Sequence, residues 1–363
     1  MLALAAICML ACTGKSVQYV IAGNNAPQDG VVVYLIDKIS DTPIDSAIVA
    51  DGAFEMKGKA LKDALMSVQL DGWGWYFPVF NDGEPVQINV ADSTVTGSEL
   101  NTKLSECDRG DGARYAEFNR FVQAFLALPK AEQEAREAEF IPEYQARYEE
   151  YADSYVGMIE DNLDNLIPVA FIQNVPMLAD KDKFDELVSS DAPFVKHPYV
   201  LAVKQKIDDS FAKEKAIEDA KEAFIGQKFI DLEEPAPDGT MHKLSEYVGQ
   251  GKWVLVDFWA SWCGPCKAEM PNVVAAYKKY HGKGFDIVGI SFDREKDPWV
   301  KAIKEWDMPW IHLSDLQYWK NAASGLYSVN SIPDNLLIDP EGTVVARGLR
   351  GNALDERLAE IFK

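Results

Sequence analysis

The spacing of apolar residues changes character twice along this chain of 363 residues. From about 16 to 110 the apolar runs are short and punctuated by glycine, asparagine and aspartate. Val31-Val32-Val33-Tyr34-Leu35-Ile36 reads as a strand. Ile44 to Ala50 leads into the turn Asp51-Gly52, and Phe54-Glu55-Met56 follows it. Asn81-Asp82-Gly83 marks a further turn, with Val86 to Val90 after it. Short strands at such spacing predict an all-β sandwich. The aromatic cluster Trp73, Trp75, Tyr76 and Phe77 fits core and edge packing of half-buried strands, with a ligand-lining face as the alternative reading. From 111 to 222 the period becomes helical. Tyr144, Tyr148, Tyr151, Tyr155, Ile159 and Leu163 recur at steps of four and three, and Phe118, Phe121, Val122 and Phe125 do so earlier. One apolar stripe with charged opposite faces, such as Glu132 to Glu139, predicts an α-helical insert packed between two other units.

From 223 to 363 the pattern alternates. Trp253–Trp259, Phe285–Ser291 and Asn335–Ile338 are continuous apolar runs of strand length, which predicts strands buried on both faces. Helical stretches separate them. A last strand, Thr343–Arg347, follows the turn Pro340-Glu341-Gly342, and Leu354, Leu358 and Ile361 mark a terminal amphipathic helix. The order is that of an α/β unit closing with a hairpin and a helix.

Composition narrows the function. A chain of this length with 47% hydrophobic residues can bury the cores of two or three domains. A net charge of −22 argues against nucleic acid and against docking on anionic lipid. Residues 1–15 form a separate leader: Leu2 to Leu10 is apolar but too short to span a bilayer, and fits the core of a signal peptide. Met9-Leu10-Ala11-Cys12 resembles a bacterial lipoprotein processing site. That resemblance implies export, lipidation of Cys12 and a place in the cell envelope. Cys107 is the one cysteine outside the leader and the pair described next, and is expected to be an idle thiol.

Trp259-Ala260-Ser261-Trp262-Cys263-Gly264-Pro265-Cys266-Lys267 carries the chemistry. The helix following the Trp253–Trp259 strand should start here and run to about Tyr280. Cys263 would sit at its N-terminus, where free N–H groups and the dipole favour a thiolate. Cys266, three residues on, shares a helix face with it, so the two sulfurs can meet. Zinc would need a second ligand pair, which neither Cys8, Cys12 and Cys107 nor the scattered His197, His242, His281 and His312 provide. A c-type haem would need histidine where Lys267 stands. A purely structural disulfide gains little from closing so short a loop. Thiol–disulfide exchange without a cofactor is the reading that remains.

Asp257 through Pro271 resembles the active-site strand and helix of thioredoxins. With Pro235-Ala236-Pro237-Asp238-Gly239, Leu244-Ser245-Glu246-Tyr247 and Ser331-Ile332-Pro333-Asp334-Asn335-Leu336, the region from 223 onward resembles the TlpA/ResA-like thiol–disulfide oxidoreductases of bacterial envelopes. The segments "VYLID" and "DSAIVADGAFEMKG" resemble the small β-sandwich domain that precedes such domains in envelope lipoproteins. The resemblance implies a thioredoxin-like fold, protein thiol or disulfide substrates, and an external reductant, expected at the membrane. It makes Cys263 the exposed attacker and Cys266 the resolving thiol. It makes Asp257 a buried acid that shuttles protons, with Glu269 acting beside it. Ile332 and a cis Pro333 would receive substrate, and Trp262 would border the same surface. The Gly264-Pro265 dipeptide favours a reductase. Pro271 is expected to kink the motif helix. Asp334 departs from the threonine-like residue usual after this proline, and its charge would disfavour the Cys263 thiolate. A thiol peroxidase, or a partner-binding module with the redox unit as scaffold, are the rival readings.

Overall fold

The structure, a computed structural model, describes residues 15–74 and 76–363. Cys8, Cys12, Trp75 and the Leu2 to Leu10 stretch lie outside the described residues. Contacts divide the chain into two compact units, with the division between Asp208 and Asp209.

In the first unit, β1 (Ser16–Asn24), β2 (Val32–Asp37), β3 (Thr42–Ile48), β4 (Phe54–Leu61), β5 (Leu65–Leu70), β6 (Tyr76–Phe80), β7 (Val86–Asn89) and β8 (Thr94–Thr96) form two four-stranded sheets. Their orders are β4-β1-β7-β8 and β3-β2-β5-β6. Ile21, Met56 and Ile88 from one sheet pack with Val33, Val68 and Val79 from the other, which makes the expected sandwich. Alternation is clean in β4, where Phe54 and Met56 are buried and Glu55 and Lys57 exposed. β5 breaks it: Leu65-Met66-Ser67-Val68 are all buried. Its outer face is covered too, because Leu65 and Phe80 join a second core with Leu104, Tyr155, Ile159 and Phe184.

That second core is built by α1 (Glu99–Leu126), α2 (Lys130–Glu160), α3 (Pro168–Phe171), α4 (Val175–Leu178), α5 (Lys181–Val188) and α6 (Pro198–Glu222). α1 opens inside the stretch read as β, at Ser98, whose hydroxyl accepts from the Asn101 N–H at 3.1 Å. Gly110 and Gly112 are poor helix formers and draw a boundary into the sequence pattern, but α1 runs through both. The tyrosine stripe of α2 divides: Tyr155 and Ile159 are buried, while Tyr144 is exposed and stacks on Tyr148 and against Phe118 and Phe140. Asn101 ties the helices to the sandwich, accepting from Phe80 N at 2.7 Å and donating to Phe80 O at 2.9 Å. His197 reaches Asp63 O at 2.8 Å.

The second unit contains a short hairpin, β9 (Glu233–Pro235) and β10 (Met241–Lys243), and a five-stranded mixed sheet. The latter comprises β11 (Trp253–Trp259), β12 (Phe285–Ser291), β13 (Ile311–Leu313), β14 (Asp334–Ile338) and β15 (Val344–Arg347), in the order β13-β12-β11-β14-β15. α7 (Gly264–Tyr280), α8 (Lys296–Glu305), α9 (Ala322–Leu326) and α10 (Asn352–Ile361) accompany it. β11 is central, parallel to β12 and antiparallel to β14, and buried from Val254 to Trp259. This is the thioredoxin-like α/β arrangement read from the sequence. The hairpin turn before β15 needs Gly342, whose φ is +86° and where a Cβ would also press on the Phe229 ring at 3.0 Å.

Asn101→Ala would strand the Phe80 N–H and C=O, each of which costs about 1–3 kcal/mol when buried without a partner. A fall in melting temperature of about 5 °C is expected by calorimetry; an unchanged melting temperature would show that Asn101 is not a structural tie.

Candidate active site at the start of the motif helix

β11 delivers the chain to a tight turn, and the turn delivers it to α7. Cys263 is the N-cap of α7, with extended backbone at φ −83° and ψ 103°, and its sulfur accepts from the Cys266 N–H at 3.1 Å. Pro265 sits in the first turn, where a missing N–H leaves nothing unpaired. Cys263 and Cys266 are joined in a disulfide, with Cα atoms 5.2 Å apart. Ser261 anchors the turn from the other side, its N–H and hydroxyl both donating to the buried Asp293.

The exposure expected of Cys263 is not found in this disulfide form. Only 4% of Cys263 and 1% of Cys266 reach solvent. The cause is the neighbouring loop: the Ile332–Pro333 peptide is cis, and the Ile332 carbonyl oxygen lies 3.7 Å from the Cys263 sulfur. Trp262 stands beside them, 46% exposed, with its indole N–H donating to Phe292 O at 3.2 Å. Pro271 lies within α7, which continues beyond it to Tyr280.

Three carboxyl groups surround the motif, each in a different state. Asp257, in β11, is buried and its Oδ2 has no hydrogen-bond partner. Burial pushes its carboxyl up to about 7, with the Glu269 and Asp334 charges adding to the rise and Arg350 opposing it. Glu269, on α7, accepts from the Gly351 N–H at 2.8 Å and from Asn272 Nδ2 at 3.3 Å. It therefore holds the approach to α10 as well as facing Asp257 electrostatically. Asp334 is not the uncompensated charge expected from the sequence. It is buried in an ion pair with Arg347, whose Nη2 and Nε approach Asp334 Oδ2 at 2.7 and 3.1 Å. Arg347 sets a cation directly against the Asp334 charge, and removing one partner would leave the other stranded.

Sequence reasoning missed Arg347 and Arg350. Arg347 pairs with Leu336 across the β14–β15 hairpin, two residues from Asp334 on the same face; the register of the hairpin was the signal. Arg350 donates to the Pro333 carbonyl from beyond β15, a contact no local pattern encodes. Cys107 is a half-buried free thiol, and burial raises its pKa. Among the described residues no group of three or more His, Cys, Asp or Glu is placed to hold a metal ion.

Residues 225–347 match the AhpC/TSA family, and residues 19–104 match a domain of unknown function, DUF4369. The thiol-disulfide oxidoreductase ResA of Bacillus cereus is 33% identical over 156 residues, 42% of this chain and 82% of that protein. ResA of Oceanobacillus iheyensis is 34% identical over 127 residues, 32% of this chain and 64% of its own length, just under two thirds. Among solved structures, the thioredoxin domain of a thiol-disulfide oxidoreductase from Bacteroides vulgatus is 31% identical, covering 38% of this chain and 98% of that one with a TM-score of 0.36. The identity to the ResA proteins, together with the Cys-X-X-C pair, makes the second unit that of a thioredoxin-like thiol–disulfide oxidoreductase. The chain belongs to the ResA family of thiol–disulfide oxidoreductases, with a DUF4369 domain ahead of the redox domain.

Asp257 keeps its proton in the folded protein up to about pH 7, whereas an unfolded chain releases it near 3.8. Its contribution to stability is complete below 3.8 and is lost as pH rises through 7. Urea unfolding of the oxidised protein should show wild type losing stability over that window relative to Asp257→Asn, by about 4 kcal/mol at pH 8. Parallel pH profiles for the two proteins would contradict the burial argument.

Proposed function

We propose that the chain is a cell-envelope protein-disulfide reductase that works through the Cys263–Cys266 dithiol. The observation that carries this is the pair itself: two sulfurs close enough to bond, the first capping a helix and lying against the cis-proline loop. In the reduced enzyme the Cys263 thiolate attacks one sulfur of a substrate disulfide. A mixed disulfide forms and the other substrate sulfur leaves as a thiolate, which takes up a proton. The Cys266 thiolate then attacks the Cys263 sulfur, restoring the intramolecular disulfide and releasing the second substrate thiol. Two electrons and two protons pass to the substrate. An external dithiol reductant, at the membrane in this reading, returns them to the enzyme.

Cys266 must lose its proton in a buried place. Asp257 supports that step, because a carboxyl held near 7 exchanges protons at neutral pH, and Glu269 modulates it by charge. Pro333, Ile332 and Trp262 form the surface against which substrate backbone would lie. The Gly264-Pro265 spacer supports the reducing direction. The apolar Leu2 to Leu10 stretch, followed by Ala11-Cys12, supports export and a lipid anchor.

Cys266→Ser removes the resolving sulfur but keeps the attacker. Incubated in reduced form with a disulfide-bonded protein such as insulin, it should accumulate a mixed disulfide through Cys263, seen as a reducible mass shift, while Cys263→Ser accumulates none. A trapped adduct on the Cys266 side, or no adduct in either variant, would sink the assignment of roles.

A further inference from the structure

Beside the cysteine pair, the loop from Ser314 to Asn321 takes a conformation that its sequence does not favour. Leu316 and Tyr318 have φ of +57° and +58°, a left-handed backbone that bulky residues rarely adopt. The surroundings hold it there. Ser314 Oγ donates to Ser291 O at 2.8 Å and accepts from Leu316 N at 3.2 Å. Asp315 Oδ1 accepts from Gln317 N at 2.9 Å and from Asn321 Nδ2 at 3.0 Å. Tyr318 N approaches the carbonyl of Asp293, the same residue that anchors the Ser261 turn, at 3.4 Å. Ser314 and Asn321 are each 1% exposed, so the two ends of the clamp are buried, while Gln317 between them is open to solvent.

The strained backbone puts aromatic rings where the redox motif is. Tyr318 lies 5.0 Å from Trp262 and Trp319 lies 6.2 Å from it, centroid to centroid. The Arg294 guanidinium covers the Tyr318 ring at 3.9 Å. Trp262 is fixed by its bond to Phe292 O yet remains 46% exposed. Strained residues held by their surroundings mark functional sites more often than idle loops. Trp262 adjoins Cys263 in the chain, so the ring group lies next to the reacting sulfur, which also touches the Ile332 carbonyl.

Building on the reductase reading, we infer that Trp262, Tyr318 and Arg294 form a shelf that selects the substrate. The occupant is a polypeptide disulfide with an aromatic side chain flanking the reacting cysteine. That side chain packs on Trp262 and Tyr318, while the polypeptide backbone follows the Ile332–Pro333 loop. A small disulfide reaches Cys263 without using the shelf.

The test compares two synthetic peptides with the same intramolecular disulfide, one with Phe and one with Ser on both sides of the first cysteine. The reading is the second-order rate at which each oxidises the reduced enzyme, followed by stopped-flow fluorescence. Wild type should prefer the Phe peptide by about tenfold, the scale of one well-placed aromatic contact. Tyr318→Ala should bring that ratio to near one, and Tyr318→Phe should keep it. A wild-type enzyme that reacts with hydroxyethyl disulfide yet shows no preference between the peptides overturns the shelf and leaves the redox reading standing. Retention of the full ratio in Tyr318→Ala also overturns it. An enzyme that reacts with neither the peptides nor hydroxyethyl disulfide overturns both.

Discussion

The N–H of Cys266 pointing at the sulfur of Cys263 is the contact on which the chemistry of this chain turns. It exists because a helix begins at Gly264, and helix starts leave backbone N–H groups without partners. The helix begins there because β11 ends at Trp259 and Ser261 is pinned to Asp293, so the chain turns within a few residues. Strand, turn and cap therefore form one device. The strand supplies rigidity from its burial at the centre of the sheet. The helix supplies a field that favours a sulfur anion.

Around that device the fold treats its carboxyl groups unequally. Asp334 is buried beside Arg347 and its charge is matched. Glu269 is tied to backbone and side-chain donors. Asp257 has an oxygen with no partner and is pushed toward neutrality. A buried acid left without a partner weakens the fold above its own pKa, and such groups concentrate where protons must move. The same economy of support is seen in the Ser314–Asn321 loop, where several hydrogen bonds hold two residues in a disfavoured backbone state.

Much of the redox unit was legible because its strands are buried on both faces. Trp253–Trp259 and Phe285–Ser291 emerge with the bounds read from their apolar runs, and the motif helix ends at Tyr280. The cysteine pair and the cis Ile332–Pro333 peptide were readable from short motifs. What failed to show were contacts made across the sheet or between distant loops. Arg347 reaches Asp334 across a hairpin, Arg350 reaches Pro333 from beyond it, and the Tyr318 ring meets Trp262 from a loop far along the chain. In the first unit, Gly110 and Gly112 concealed the true start of α1, because local propensity is a weak guide once tertiary packing covers a helix. The same packing explains β5, whose covered outer face erased the alternation that sheets with one solvated face display.

Division of labour between the two sulfurs is the central claim, and alkylation of the reduced protein tests it most directly. Brief treatment with iodoacetamide at pH 7, followed by peptide mass spectrometry, should modify Cys263 at least about ten times faster than Cys266. Modification of Cys266 first, or equal resistance of both, would contradict the assignment of Cys263 as the attacking thiolate.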